Sequence, residues 1–306
     1  MPENDAFWDF YWETRLQAME NLGKREAILA ASRLIRRLFQ QTGRPLRLLE
    51  LGCGEGQIVG TLADAHVELV ASQAVIGVDY NPTSLARCRR DFPGFKFVEG
   101  DFTDRTLLAS LGKQDVVLLV NALHEVFSAE VSPELGEVDI PAAKQRVEDT
   151  LAGVVQSLLP CGWIVLFDGL EPAGDPREAI TIRFLDDQAR RDFVTFAGQY
   201  QPFRITYQPA GDPLCITLSR HNFTRYITKS IFLGKNLWKT ERYESYQYFT
   251  EQEFRDVLAR SGLELSELRT LTVNAEKWRR WVEIETPGVD FPQEHILILA
   301  QWVPPD

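Results

Sequence analysis

A glycine loop between an apolar strand and a helix is the part of this sequence best suited to hold a ligand. Residues 48–56 read LLELGCGEG, and residues 57–62 continue with apolar residues at helical spacing. Alternating glycines let the backbone approach a ligand with no side chain in between, and the N-terminus of the following helix offers free N–H groups. This arrangement predicts a site for a nucleotide-like ligand.

Two acidic residues end later strands, where they could contact the same ligand. Asp79 ends the apolar run of residues 75–79 and lies 23 residues after Gly56, close to the interval of about 20 residues between a glycine loop and a ribose-binding acid. Asp101 lies in a Gly-Asp-Phe sequence at the end of a third strand, residues 95–102. Asp79 is predicted to accept hydrogen bonds from both ribose hydroxyls. The alternative is a surface acid that caps the helix begun by Asn81 and Pro82.

Five apolar runs separated by helical segments predict the fold class. The fourth run, in residues 115–125, contains the sequence VVLLV, which is typical of a parallel strand covered on both faces, and the fifth occupies residues 162–168. Such a chain forms an α/β fold with a Rossmann-like, doubly wound and mostly parallel sheet. The loops that could bind a ligand then all lie at the carboxyl ends of the strands.

The run E-L-G-C-G-E-G resembles motif I of the class I S-adenosylmethionine-dependent methyltransferases, whose G-x-G-x-G order differs from the G-x-G-x-x-G of dinucleotide folds. The resemblance implies S-adenosyl-L-methionine as the cofactor, with the loop at its amino acid part, Asp101 at the adenine amino group and Phe102 beside the ring. It also implies a seven-stranded sheet completed by residues 265–273 and 295–302, the last strand being antiparallel. The residues expected to contact the cofactor are Glu50, Gly52, Cys53, Gly54, Gly56, Asp79, Tyr80, Asp101, Phe102, Asn121 and Ala122.

The chain divides into four parts on this interpretation. Residues 1–47 form a helical segment that packs on the core and could serve as a lid, and residues 48–170 form the cofactor-binding core. Residues 171–248 exceed a minimal core and are expected to form a cap subdomain on the substrate side, with a hairpin in residues 203–218 and a helix capped by Ser219. Residues 249–306 return to the core with a capping box at Thr250 and the last two strands.

Composition narrows the partners and the location. The 306 residues carry a net charge of −11, which argues against nonspecific attraction to nucleic acid. The start lacks the features of a secretory signal, and no apolar run approaches the length of a spanning helix, so we expect a cytoplasmic protein that does not bind membranes. The four cysteines lack metal-ligand spacing and are expected to be reduced, mostly buried thiols, with no bound metal.

The methyl group of the cofactor is already activated, so its transfer needs mainly alignment, exclusion of water and, for some acceptors, a base. His124 follows the fourth strand in the sequence Asn-Ala-Leu-His-Glu and is the candidate general base, with Glu125, His221 and the cap tyrosines as other candidates. The alternative for His124 is a hydrogen bond that pins the loop, while Glu125 is expected to point elsewhere. Because this sequence departs from N-P-P-Y and D-P-P-Y, transfer to an O or N atom of a small molecule is favoured over a nucleic acid base.

Residues 225–248 combine basic and aromatic side chains in an otherwise acidic protein. Such residues could pair with an anionic group and stack on a flat acceptor, so we expect an aromatic or anionic substrate. Ordinary packing under a solvated basic face is the alternative. The residues expected to contact the substrate are Tyr11, Trp12, His221, Arg225, Tyr226 and Trp238.

Three other functions stay open from the sequence. A catalytically inactive sensor or scaffold that binds S-adenosylmethionine would carry the same glycine loop and acids. A protein or peptide methyltransferase and a nicotinamide-dependent oxidoreductase are less favoured, the latter because of the glycine spacing. The acceptor and the oligomeric state are not identified by the sequence.

Overall fold

The computed structural model describes residues 22–130, 137–273 and 275–304, in which helices and strands alternate as the sequence predicts. The first half of the chain contains α1 (Leu22–Thr42), β1 (Leu46–Leu51), α2 (Gln57–Ala65), β2 (Val70–Asp79), α3 (Pro82–Asp91), β3 (Lys96–Glu99), α4 (Arg105–Ser110), β4 (Gln114–Val120), α5 (Leu123–Ser128), α6 (Ile140–Val155) and β5 (Leu158–Gly169). The second half contains β6 (Ala179–Phe184), α7 (Asp187–Gln199), β7 (Tyr207–Ala210), β8 (Asp212–Ser219), α8 (Arg220–Lys229), a short 3₁₀ helix (Ser230–Phe232), α9 (Trp238–Glu241), α10 (Glu251–Arg260), β9 (Leu263–Leu271), α11 (Ala275–Trp278), β10 (Val282–Ile284) and β11 (His295–Trp302).

The main sheet has seven strands in the order β3-β2-β1-β4-β5-β11-β9. The pairs from β3 to β5 are parallel, while β11 runs antiparallel to both β5 and β9. This is the Rossmann-like, mostly parallel arrangement that the sequence predicts, including the antiparallel last strand. The chain order reverses between β1 and β4, so the ends of these two strands flank the crevice where such sheets bind ligands.

Apolar side chains cover both faces of the central strands. Every residue of β4 is buried, as its continuous apolar run predicts. One face packs against α1 and α2, and the other packs against α5, α6 and α10. Helix α10 begins at Thr250 with the capping box that the sequence predicts, and the chain turns at Gly262, which has φ +73°. These elements hold the strand ends in fixed positions.

Residues 171–248, called the insertion below, contribute three strands to a second, antiparallel sheet in the order β10-β6-β8-β7. The predicted hairpin is present as β7 and β8, but its first strand begins at Tyr207 rather than at residue 203. Ser219 caps α8 as predicted, because its hydroxyl accepts a hydrogen bond from the backbone N–H of Asn222. Strand β10 pairs with β6, so the assignment of residues 249–306 entirely to the main core was wrong.

Other boundaries also differ from those expected. The third strand ends at Glu99 rather than residue 102, and the fourth ends at Val120, after which α5 begins at Leu123. Helix α8 ends at Lys229 and is followed by the 3₁₀ helix, which contains Phe232. Cys53, Cys88 and Cys215 are buried free thiols, whereas Cys161 is exposed.

Candidate active-site groove

A groove with two halves runs along the carboxyl ends of β1 to β4. The loop half, about 340 Å³ in volume, is lined by Lys24, Glu50, residues 52–55, Gln57, Ile58, Asp79, Val120, Asn121 and Glu125. The Asp101 half, about 180 Å³ in volume, is lined by Gly52, Asp79, Tyr80, residues 100–103, Glu125, Val126, Ala129 and Arg146. Gly52, Asp79 and Glu125 line both halves, so the halves meet at these residues. The groove has the size of a small-molecule site, which is typically about 300–1,000 Å³.

The three loop glycines have different surroundings. All three adopt the left-handed region, with φ +71° at Gly52, +52° at Gly54 and +71° at Gly56. A Cβ atom at Gly54 would meet nothing within 4 Å, so this residue leaves its side of the groove open. A Cβ atom at Gly56 would lie 3.1 Å from Cys88 Sγ, which places Gly56 against the core rather than in the groove lining.

Asp79 holds the glycine loop against the end of β2. Its Oδ2 accepts a hydrogen bond from the backbone N–H of Gly54 at 2.7 Å, and its Oδ1 accepts one from Asn81 at 2.8 Å. Each carboxylate oxygen keeps a lone pair for a ligand. The cap of α3 is supplied by Asn81, whose side chain accepts from Thr83 and Ser84, so the helix-capping alternative for Asp79 was wrong.

Glu50 lies buried beneath the loop. Its Oε2 accepts a hydrogen bond from the backbone N–H of Val59 at 2.9 Å. Burial raises the pKa of Glu50 to about 8, and the charge of Lys24 only partly opposes this. Burial likewise raises the pKa of the Cys53 thiol, which keeps it protonated.

Asn121 has a strained backbone at the end of β4. It has φ +55°, a conformation that L-residues adopt rarely, and its N–H donates to the carbonyl of Phe167 at 2.7 Å. Its side-chain oxygen is buried and accepts no hydrogen bond within the part of the chain that the structure describes. Ala122 lies behind the loop, since a Cβ atom at Gly52 would come within 2.9 Å of Ala122 Cβ.

The adjacent residues His124 and Glu125 face in different directions. His124 is 2% exposed, and its Nδ1 lies 2.8 Å from Asp168 Oδ1, while its Nε2 lies 3.9 Å from Glu244 Oε2. Burial disfavours the imidazolium, but the Asp168 carboxylate outweighs this and raises the pKa of His124. Glu125 lines both halves of the groove, so the expectation that it points elsewhere was wrong. Burial raises the pKa of Glu125 to about 7.

The far end of the Asp101 half is more open. Asp101 is exposed, and its Oδ1 accepts a hydrogen bond from the backbone N–H of Thr103 at 2.8 Å, while Phe102 is largely buried. Tyr80 is 68% exposed, and the nearby charge of Glu125 is the main cause of a raised pKa for its hydroxyl. These side chains lie around the part of the groove where the sequence predicts a planar base.

Of the residues that the sequence assigned to substrate, the four that the structure describes lie outside this groove lining. His221 Nδ1 contacts Glu171, and Arg225 Nη2 lies 3.1 Å from the same carboxylate. Tyr226 and Trp238 are buried in the apolar core of the second sheet, where Trp238 Nε1 donates to Gln199 Oε1 at 2.6 Å. Tyr11 and Trp12 lie outside the described residues.

Two bases and one acid that line the groove, Lys24, Arg146 and Glu125, were not among the residues expected to contact the cofactor. Lys24 precedes the glycine loop by more than twenty residues and enters the groove from the first turn of α1. Arg146 enters from α6, and Glu125 enters from α5. Only Glu125 carried a signal in the sequence, as the neighbour of His124 after the fourth strand.

Comparisons with known proteins agree with this geometry. Residues 48–138 match a family model described as a methyltransferase domain. A segment of 104 residues is 33% identical to the non-reducing polyketide synthase tazA of Aspergillus terreus, over 33% of this chain and 4% of that protein. A segment of 102 residues is 28% identical to the non-reducing polyketide synthase sorB of Penicillium rubens, over 32% of this chain and 4% of that protein. The chain thus spans only a small part of the length of these relatives.

Two solved structures superpose on most of this chain at low similarity. An S-adenosylmethionine-dependent methyltransferase from Mesorhizobium loti superposes with a TM-score of 0.47 at 17% identity, over 90% of this chain and 97% of that chain. Magnesium protoporphyrin IX methyltransferase from Synechocystis superposes with a TM-score of 0.44 at 12% identity, over 91% of this chain and 85% of that chain. Residues 48–138, which contain the glycine loop, Asp79 and Asp101, thus match a methyltransferase domain, and the sheet order agrees with the resemblance to class I S-adenosylmethionine-dependent methyltransferases that the sequence indicates.

None of the helices in residues 22–130, 137–273 and 275–304 combines the length and the apolar character needed to cross a bilayer.

Proposed function

We propose that this protein transfers a methyl group from S-adenosylmethionine to an O or N atom of a small-molecule acceptor by in-line displacement. The shape of the groove is the observation that carries the proposal. Its two halves meet at Gly52, Asp79 and Glu125, which matches a ligand whose amino acid part and adenine are joined through a ribose. Asp79 then faces the ribose hydroxyls, and Asp101 and Phe102 face the adenine.

The charge of the groove also fits this cofactor. The acids that line it outnumber the bases even without Glu50, whose raised pKa favours its protonated form, with Glu55, Asp79, Asp101 and Glu125 against Lys24 and Arg146. S-adenosylmethionine carries an ammonium and a sulfonium, both of which favour such surroundings. The buried side-chain oxygen of Asn121 is an acceptor suited to the ammonium group, because a buried polar atom gains most from a ligand that supplies its missing hydrogen bond.

A small-molecule acceptor is supported by the two polyketide synthases that match part of this chain. An anionic acceptor draws little support from Arg225 and His221, because both side chains already contact the carboxylate of Glu171. The role of His124 as general base stays a prediction. Its ring lies between Asp168 and Glu244, which favours the pinning role, while Glu125 is a half-buried acid that lines the groove.

Titration calorimetry with S-adenosylmethionine and with its demethylated product, S-adenosylhomocysteine, tests this proposal. Loss of a hydrogen bond to a charged group costs roughly 1.5–3 kcal/mol, so Asp79→Ala should weaken both ligands by about tenfold to a hundredfold or slightly more. Asp91→Ala, which removes an exposed acid from α3, is the matched control and should leave both affinities unchanged. Unchanged affinity in Asp79→Ala, with a melting temperature near that of the wild type, would overturn the assignment.

A further inference from the structure

Glu125 occupies the junction between the two halves of the groove. It shares this position with Gly52, which has no side chain, and with Asp79, whose oxygens are engaged by the N–H groups of Gly54 and Asn81. Asp79 is the last residue of β2, whereas Glu125 lies in the first turn of α5, so the two carboxylates reach the junction from different elements. Glu125 therefore adds a second negative group at the point where the halves meet.

The chemistry of the cofactor changes at this same junction. The placement of the cofactor at this junction rests on the proposed function. In S-adenosylmethionine, the sulfur lies between the amino acid part and the ribose, and it carries a full positive charge. When the methyl group is transferred, the electron pair of the broken S–C bond stays on sulfur, which becomes a neutral thioether, while a lone pair of the acceptor atom forms the new bond to carbon and the proton of the acceptor passes to a base or to water. The sulfur thus loses its charge beside Glu125.

We propose that Glu125 makes the groove selective for the charged sulfonium of S-adenosylmethionine over the neutral thioether of S-adenosylhomocysteine, and so favours release of the product after transfer. A carboxylate attracts the sulfonium but gains almost nothing from a thioether. Only an interaction that differs between the two ligands can separate their affinities, and the sulfur charge is such a difference. The amino acid part and the adenosine are common to both.

The ionisation of Glu125 makes this selectivity dependent on pH. Burial raises its pKa to about 7, the charges of Glu244, Asp79 and Asp168 raise it further, and His124 lowers it. The other charged or titratable groups around the groove are Lys24, Glu50, Cys53, Glu55, Tyr80, Asp101 and Arg146. Ionised Glu125 should therefore predominate at pH 8 and protonated Glu125 at pH 6. Glu50 also titrates, but it lies at the glycine loop that both ligands share.

The test is the ratio of the dissociation constant of S-adenosylhomocysteine to that of S-adenosylmethionine, measured by calorimetry from pH 6 to pH 8. In the wild type this ratio should rise with pH by about tenfold, which corresponds to one well-placed charge interaction in a partly solvated site. In Glu125→Gln the ratio should be lower at pH 8 by a similar factor and should not vary with pH. Glu125→Asp, which keeps the charge, should retain part of the selectivity.

Two further controls separate the possible outcomes. Glu99→Gln removes an exposed acid at the end of β3 and should behave as the wild type. An unchanged ratio in Glu125→Gln, or an equal loss of affinity for both ligands, would overturn the inference while leaving the proposed function standing. If the wild-type protein binds neither ligand, the proposed function itself fails. Melting temperatures of all variants show whether each one is folded.

Discussion

The groove and a buried ion-pair cluster within the insertion differ in how their charges are compensated. Within the insertion, Lys229 is fully buried, and its Nζ lies 2.6 Å from Glu241 and 3.1 Å from Glu244. In the groove, burial raises the pKa of Glu50 to about 8 and that of Glu125 to about 7, and the charge of Asp79 adds to both. The charges around Lys229 are therefore compensated by the fold itself, whereas the acids of the groove are not.

This difference indicates which region serves stability and which serves binding. Compensated charges stabilise the fold only while every partner is present, because a buried charge left alone is costly. Acids that repel one another instead gain when a cation arrives. Substitutions in the two regions should therefore separate into losses of stability and losses of affinity.

The largest loss of stability is expected for Lys229→Met. The variant leaves Glu241 and Glu244 without their buried cation, and breaking a buried pair typically costs about 3–5 kcal/mol. Denaturant unfolding measures this change, and calorimetry should show little change in affinity for S-adenosylmethionine. Lys235→Met, at an exposed lysine close by, is the control and should unfold as the wild type. Equal stability of the two variants would contradict the comparison.

A smaller loss is expected for His124→Gln. The variant removes the charge-assisted contact of Nδ1 with Asp168, worth roughly 1.5–3 kcal/mol, and should leave cofactor affinity nearly unchanged. His124→Asn is the matched control, because its amide can donate to Asp168 in place of Nδ1 but cannot act as a base. If both variants keep near-normal turnover and only His124→Gln is strongly destabilised, His124 is a positioning residue. A loss of turnover by 10²–10⁴-fold in both would instead establish the general base.

The main sheet could be predicted because its signals are local. The VVLLV run became β4, which is buried throughout, and the glycine loop with Asp79 came together at one edge because parallel strands end on the same side. The second sheet could not be predicted in this way. Val282 of β10 pairs with Phe184 of β6 about a hundred positions earlier, and no local pattern in three residues fixes that pairing.

The wrong expectation for the direction of Glu125 has a different cause. The fourth strand ends at Val120 and α5 begins at Leu123, so these two residues lie in the first turn of a helix. Successive residues of a helix point about 100° apart, and a shift of one residue in the helix start exchanges which side chain faces the crevice. The sequence placed a titratable pair after the strand, but it did not fix the phase of the helix.

The smallest effect is a dependence of stability on pH that comes from Glu50. Its pKa in the folded protein is about 8, above its ordinary value of 4.5, so the protonated form is favoured by folding. This contribution is complete below pH 4.5 and is lost as the pH rises towards 8, with a loss of about 1 kcal/mol between pH 7 and pH 8. Glu50→Gln stays neutral and keeps an oxygen for the N–H of Val59, so its unfolding free energy should fall less over this interval. The slopes from His124 and Glu125 are present in both proteins and cancel in the difference. The unfolding free energies of the wild type and Glu50→Gln are measured against pH by denaturant unfolding without cofactor. Parallel curves would show that the pKa of Glu50 is not raised in the empty groove, which would contradict the comparison at this residue.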